Sequence, residues 1–157
     1  MIAEDRITRI EAELAIRNVI ARYGMAADCG DIPAALACHT ADAVYVVSNP
    51  RAGRGGEAGD LELKDHQAIS DLLSSDMHQS LLPDCAHTVG PLVVTIEGEK
   101  ASVTGYSRVY HKQKLMRVAV NHWTMRIENG VWKIARRESR VVGEEAAQSL
   151  LKKALNP

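Results

Sequence analysis

The chain has no phenylalanine and few aromatic residues of any kind, four Tyr and two Trp, and nothing in the sequence explains that absence. Other absences exclude whole classes of protein. Three cysteines, Cys29, Cys38 and Cys85, cannot all pair, and none forms a CxxC. They read as reduced thiols of a cytoplasmic protein and not as a disulfide framework. No apolar stretch approaches the roughly 20 residues of a membrane-spanning helix. The opening MIAEDRITRIEAEL is charged from its fourth residue, which argues against a secretory leader. Charge of one sign is also missing: 19 Lys and Arg against 20 Asp and Glu give a formal net charge of −1. That balance offers no electrostatic footprint for nucleic acid or for an anionic membrane. Six histidines, His39, His66, His78, His87, His111 and His122, show neither HxxxH nor HxH spacing. No closed set of zinc ligands is in view, so no metal and no cofactor is expected. The segment PRAGRGG lacks the phosphate-loop pattern.

What is present is a chain of 157 residues, 46% hydrophobic and 25% charged, the composition of one globular domain over residues 1–157. Residues 5–28 have helical spacing through Ile7, Ile10, Leu14, Ile16, Ile20, Tyr23 and Ala27, with Asp5 as a cap and Gly30 as the stop. Asp31 caps a short second helix with Pro33 in its first turn, and His39 is expected at its end, where a cation suits the dipole. The β-branched run 43–47 (AVYVV) predicts a strand. The stretch 48–64 reads as a mobile lid or an inter-subunit arm. Residues 65–79 return to helical spacing, with His66 and His78 solvated at either end. Strands follow at 86–97 and 101–112, then at 117–128 and 131–142 around Asn129–Gly130, a strong hairpin signal. A last helix spans 144–155. This order predicts an α+β fold, a cone-shaped curved antiparallel sheet with helices packed across its concave face.

Asp28 is the anomaly in this pattern. It shares a helix face with Gly24, Ile20 and Ile16, the face a globular helix buries. An unpaired buried carboxylate is too costly to keep, and the helix C-terminus makes ionisation harder still. A cation must therefore lie nearby. On the strands, alternate residues share a face. In 117–127 neither Arg117, Ala119, Asn121, Trp123, Met125, Ile127 nor the intervening set is cleanly polar, so both faces are expected to be covered, one by helices and one by another subunit. Arg137 beside Ser139 offers a polar floor for a pocket, but an outward ion pair with Glu138 or Glu128 is the reading that the residues by themselves favour. Cys29 reads as an inert, half-buried thiol, and Trp123 and Trp132 as core or interface packing.

Three segments carry a resemblance: IRNVIARYGMAADCGDIPAALACHTADAVY, the histidine-led strand AHTVGPLVVTIEGEKASV, and MRIENGVWKIARR. Together they resemble the SnoaL-like branch of the nuclear-transport-factor-2-like superfamily, which includes scytalone dehydratase and hexachlorocyclohexane dehydrochlorinase. The resemblance implies a cystatin-like α+β barrel with an enclosed pocket for a small-molecule substrate, and a homo-oligomer, dimer or trimer. It also implies that Asp28 orients His87, which removes a proton, and that Arg137 lies in the pocket. Tyr23 and Tyr45 fall at pocket-lining positions, and Ser107, His111, Asn121, Ser139 and Val141 on the pocket face. Pro91, four residues after His87, departs from relatives that carry Asn there and puts the local strand pairing in doubt.

An imidazole fits the demand set by Asp28. Its ordinary pKa is about 6.5, and a carboxylate on one ring nitrogen fixes the tautomer and stabilises the imidazolium. These residues imply a cofactor-independent lyase or isomerase of the dehydratase or cyclase kind, acting on a small, largely apolar cyclic substrate. The other possibility is a non-catalytic binding or subunit module, such as the small subunit of a ring-hydroxylating dioxygenase, since fold does not fix function.

Overall fold

The computed structural model describes residues 3–48 and 59–156. A long helix α1 (Ala3–Cys29) leads into a short α2 (Ile32–Ala37) and strand β1 (His39–Ser48). Then come β2 (Asp60–Lys64), α3 (Asp65–Ser74), α4 (Asp76–Gln79), β3 (Cys85–Glu97), β4 (Lys100–His111), β5 (Lys114–Glu128), β6 (Val131–Val141) and α5 (Glu145–Leu155). The local signals act as the physics demands. The Asp31 carboxylate accepts from Ala34 N at 3.0 Å, satisfying one of the orphan donors of α2. Asn129 and Gly130 take φ of 53° and 75°, the left-handed pair that closes the β5–β6 hairpin.

Six strands form one mixed sheet in the order β2-β1-β6-β5-β4-β3. Neighbours run antiparallel except β1 and β6, which are parallel. The all-antiparallel expectation thus fails at one pairing. β1 and β6 are far apart in sequence, so no hairpin dictates their direction. The sheet is open, and β2 lies inside the stretch expected to be a lid; residues 49–58 of that stretch lie outside the described residues.

One face of the sheet holds the core. Ile16, Ile20, Tyr23 and Ala27 of α1 pack with Ile69 and Leu73 of α3 against Val103, Trp123, Met125 and Ile134 of β4, β5 and β6. Ile7, Ile10 and Leu14 continue the α1 stripe in sequence, yet they remain 56%, 57% and 56% exposed, so only the second half of the helix is held by packing. α5 does not join the core face. Its Ala147 and Leu150 pack with Val120 and Tyr106, which alternation places on the opposite face. Part of the second face is therefore covered by the chain's own last helix.

The histidine positions differ from expectation in two places. His39 opens β1 and is 2% exposed, with Nδ1 donating to Ala35 O at 2.8 Å. His78 is buried, and its Nε2 donates to Ala27 O at 3.0 Å. In both, the ring satisfies a carbonyl near a helix end that would otherwise be buried without a donor, a demand set by the tertiary packing and invisible in local spacing.

Candidate active site in the cone

Asp28 ends the buried face of α1, and β3 passes directly beside it. A Cβ on Gly24, one turn earlier, would sit 3.3 Å from His87 Cβ, so glycine lets helix and strand approach closely. His87 N donates to Asp28 Oδ2 at 2.7 Å, and Nδ1 lies 2.5 Å from Asp28 Oδ1. Because an ionised carboxylate only accepts, the ring proton sits on Nδ1. Burial pushes the Asp28 carboxyl up, but both His87 hydrogen bonds and the ring's charge outweigh it and hold Asp28 below the ordinary carboxylate range. The Asp28 and His87 side chains keep 20% and 23% exposure, enough for a ligand to reach them.

Cys85 completes a local cluster, with Sγ 3.8 Å from His87 Nδ1. Burial, then the neighbouring Asp28, pushes its thiol up to about 11, so it stays protonated at neutral pH. Asp28, Cys85 and His87 are the set among the described residues whose donor atoms converge in a way that a metal could use, all within 4.8 Å. As arranged, the thiol is protonated and Nδ1 is committed to Asp28, so the cluster is a hydrogen-bonded one. Cys29 is exposed and not half-buried.

Strand β3 reaches this arrangement through an irregularity. Its ladder with β4 breaks between Val89 and Leu92, at Gly90–Pro91, where proline has no N–H to donate. Before the break Val89 packs on the core; after it Leu92, Val94 and Ile96 do. Odd positions thus give way to even ones, and His87 is left on the core face with Val89. The disturbance expected at Pro91 is there, and the dyad survives it.

Across the sheet, the same face carries the polar floor. Arg137 is 7% exposed and points inward, which corrects the outward ion pair with Glu138 or Glu128. Its Nε donates to Asn121 Oδ1 at 3.0 Å, and Asn121 Nδ2 donates to Ser107 Oγ at 2.7 Å. The guanidinium carbon lies 4.7 Å from the Tyr45 ring centroid, 5.5 Å from Tyr23 and 5.6 Å from Trp123, within cation–π range of all three. Glu138 instead pairs with Arg140, at 2.8 Å. Tyr23 meets the His39 ring edge-on at 4.8 Å. Burial, with Tyr45 adding and Arg137 opposing, pushes the Tyr23 hydroxyl up to about 12, so it remains a donor.

The structure thus gathers Tyr23, Tyr45, Ser107, Asn121 and Arg137 into one connected group. Ser139 is buried opposite Asn121, and Val141 faces Ala119 further along. His111 lies at the end of β4 opposite Cys85 and forms no hydrogen bond with the group among the described residues. Two contributors were not singled out by sequence: His39, under Tyr23, and Arg117, which shares the odd face of β5 with Asn121 and Trp123.

A SnoaL-like domain model matches residues 8–138, most of the chain. The protein belongs to the SnoaL-like family. Among solved structures, this SnoaL-like protein is similar to a nuclear-transport-factor-2-like protein with a cystatin-like fold from Novosphingobium aromaticivorans, at 34% identity over 94% of each chain and a TM-score of 0.81. Two further proteins of that organism share the fold at lower identity. One is assigned as a scytalone dehydratase, at 15% identity over 87% of this chain and 88% of the other, TM-score 0.72. The other is assigned as the beta subunit of an aromatic-ring-hydroxylating dioxygenase, at 16% identity over 85% and 91%, TM-score 0.66. No curated protein matches the chain.

Proposed function

We propose that this SnoaL-like protein is a cofactor-independent lyase or isomerase in which His87 is the general base and Asp28 orients it. The observation that carries this reading is the ring geometry. Asp28 Oδ1 holds the Nδ1 proton at 2.5 Å, which leaves the lone pair of a neutral imidazole on Nε2. Nε2 has no hydrogen-bond partner among the described residues. It would take a proton from a substrate C–H. The electron pair of that bond then forms a new double bond, and either a leaving group departs with its own bonding pair or the proton is returned at another carbon. Asp28 stabilises the imidazolium formed in the first step. Tyr23 supplies a neutral hydroxyl donor, and Arg137 a fixed cation, to whichever substrate oxygen or leaving group gains charge.

Substrate C–H acidity provides the test. Cyclic ketones, hydroxy acids and halogenated rings are incubated with the protein in D2O and followed by NMR for deuterium uptake or elimination. Turnover is expected with the parent protein, falling about 10²–10⁴-fold in His87→Ala and also in Asp28→Asn, both still folded by circular dichroism. Retention of full turnover in His87→Ala would overturn the base assignment. Capture of a larger iron–sulfur partner, with no turnover in the parent protein, would instead favour a subunit role.

A further inference from the structure

The cone is more cationic than a pocket for a neutral apolar molecule needs to be. Arg137 is buried, and the groups that accept from it, the amide oxygen of Asn121 and the hydroxyl of Tyr23, are neutral. The ion pairs of the described residues involve Arg17, Lys64, His87, Arg126, Lys133 and Arg140, so no carboxylate of the described residues lies within 4 Å of Arg137. A second cation is at hand. Arg117 shares the core-side face of β5, and its Nη2 is buried without a hydrogen-bond partner among the described residues. It interacts electrostatically with both Tyr45 and Arg137. Glu144 also acts on Arg117; it accepts from Ser48 Oγ at 2.6 Å and forms no direct ion pair with Arg117 among the described residues. A second unsatisfied group is the indole N–H of Trp123, on a residue 1% exposed whose ring lies beside Arg137.

Buried guanidinium and indole donors left without acceptors are costly, and such groups recur where a ligand completes them. Their placement says where the ligand lies. His87 pairs with Val109, and Val109 with Arg117. His87 and Arg117 therefore lie on the same face of the sheet two strands apart, at about 10 Å between backbones. From β6, the Arg137 side chain leans towards Asn121 and so towards Arg117. The rings of Tyr23, Tyr45 and Trp123 surround the Arg137 guanidinium.

We infer that the cone takes a small cyclic carboxylate, its ring against Tyr45 and Trp123 and its carboxylate held by Arg137 and Arg117, with the acidic C–H turned towards His87. A guanidinium presents two parallel N–H donors that match the two oxygens of a carboxylate. This inference rests on the cone being the substrate site, but not on His87 acting as the base.

Matched probe pairs separate charge from shape: benzoate with benzamide, and 2-naphthoate with 2-naphthamide, titrated calorimetrically into the parent protein at low salt. The carboxylate is expected to bind at least tenfold more tightly than its amide in one or both pairs. The preference should shrink in Arg137→Met, vanish in the Arg117→Met/Arg137→Met double variant, and persist in His87→Ala. Equal or tighter binding of the amides overturns the inference, as does binding of neither member of either pair. Persistence of the preference in a folded double variant overturns the residue assignment. If the arginine variants do not fold, the comparison in the parent protein still decides. Loss of turnover by the base test with an intact carboxylate preference, or the reverse, tells the two readings apart.

Discussion

His39 gives the sharpest quantitative prediction, because it is a titratable group sealed in the core. At 2% exposure, with its ring edge on Tyr23, burial pushes its pKa from 6.5 down to about 4. The hydrogen bond to Ala35 opposes this, and Arg137 and His66 add to it. The folded protein therefore excludes a proton that the unfolded chain binds once the pH falls below about 6.5. The gap between 6.5 and about 4, at about 1.4 kcal/mol per pH unit, corresponds to about 3 kcal/mol. All of that stability is present above pH 6.5, about 2 kcal/mol of it is gone by pH 5, and the remainder goes as the pH approaches 4. Against a typical total of roughly 5–15 kcal/mol, the loss is large. His39→Phe keeps the ring against Tyr23 and removes the titration, at the cost of one hydrogen bond, about 1 kcal/mol. Chemical denaturation followed by circular dichroism at pH 5, 6, 7 and 8 measures both proteins. The parent protein should lose stability towards acid more steeply than the variant, the curves converging and then crossing between pH 7 and 5. His122 is also lowered by burial and contributes a slope of the same sign, but it is common to both proteins and cancels in the comparison. Parallel curves for the two proteins between pH 5 and 7 would refute the reasoning.

Two further perturbations probe the floor of the cone and the strand beside the dyad. Asn121→Leu would leave Arg137 Nε and Ser107 Oγ without their buried partner, and a loss of about 3 kcal/mol in urea unfolding is expected; Ser107→Ala, which removes only the outer link, should cost distinctly less. Gly105→Ala would place a Cβ 2.4 Å from Pro91 O and 2.5 Å from Leu92 Cδ2. Relief requires the β3 backbone to move, so a drop of about 2–3 kcal/mol is expected, visible as a lower thermal midpoint.

Local structure was largely legible in the sequence. Asp31 and Pro33 announce α2, and Asn129–Gly130 announces the β5–β6 hairpin, because caps and tight turns depend on residues a few positions apart. Asp28 was legible as well: an acid on a stripe of Ile16, Ile20 and Gly24 requires a partner wherever the fold places it. The pocket was harder to see. Period-2 alternation cannot show that Gly90–Pro91 exchanges the faces of β3, so that His87 and Leu92 both turn to the core side. Nor can it decide whether Arg137 faces a neighbouring Glu138 or a distant Tyr45, since the latter depends on the parallel β1–β6 pairing. His39 and His78 looked like solvated helix-end cations because the elements that bury them come from elsewhere in the chain.

By itself, then, the sequence determined most of the elements, β2 excepted, the α+β class, and the existence of an acid that needed a cation. These follow from interactions within one or two turns of chain, where spacing and side-chain chemistry act directly. Tertiary structure alone decided what faces the cone. Only the packing of α1 on β3 and the register of β1, β6 and β5 bring Asp28 to His87 and Arg137 beneath three aromatic rings. Those contacts join residues 59 to 114 positions apart in most cases, and no local pattern encodes a meeting at that separation.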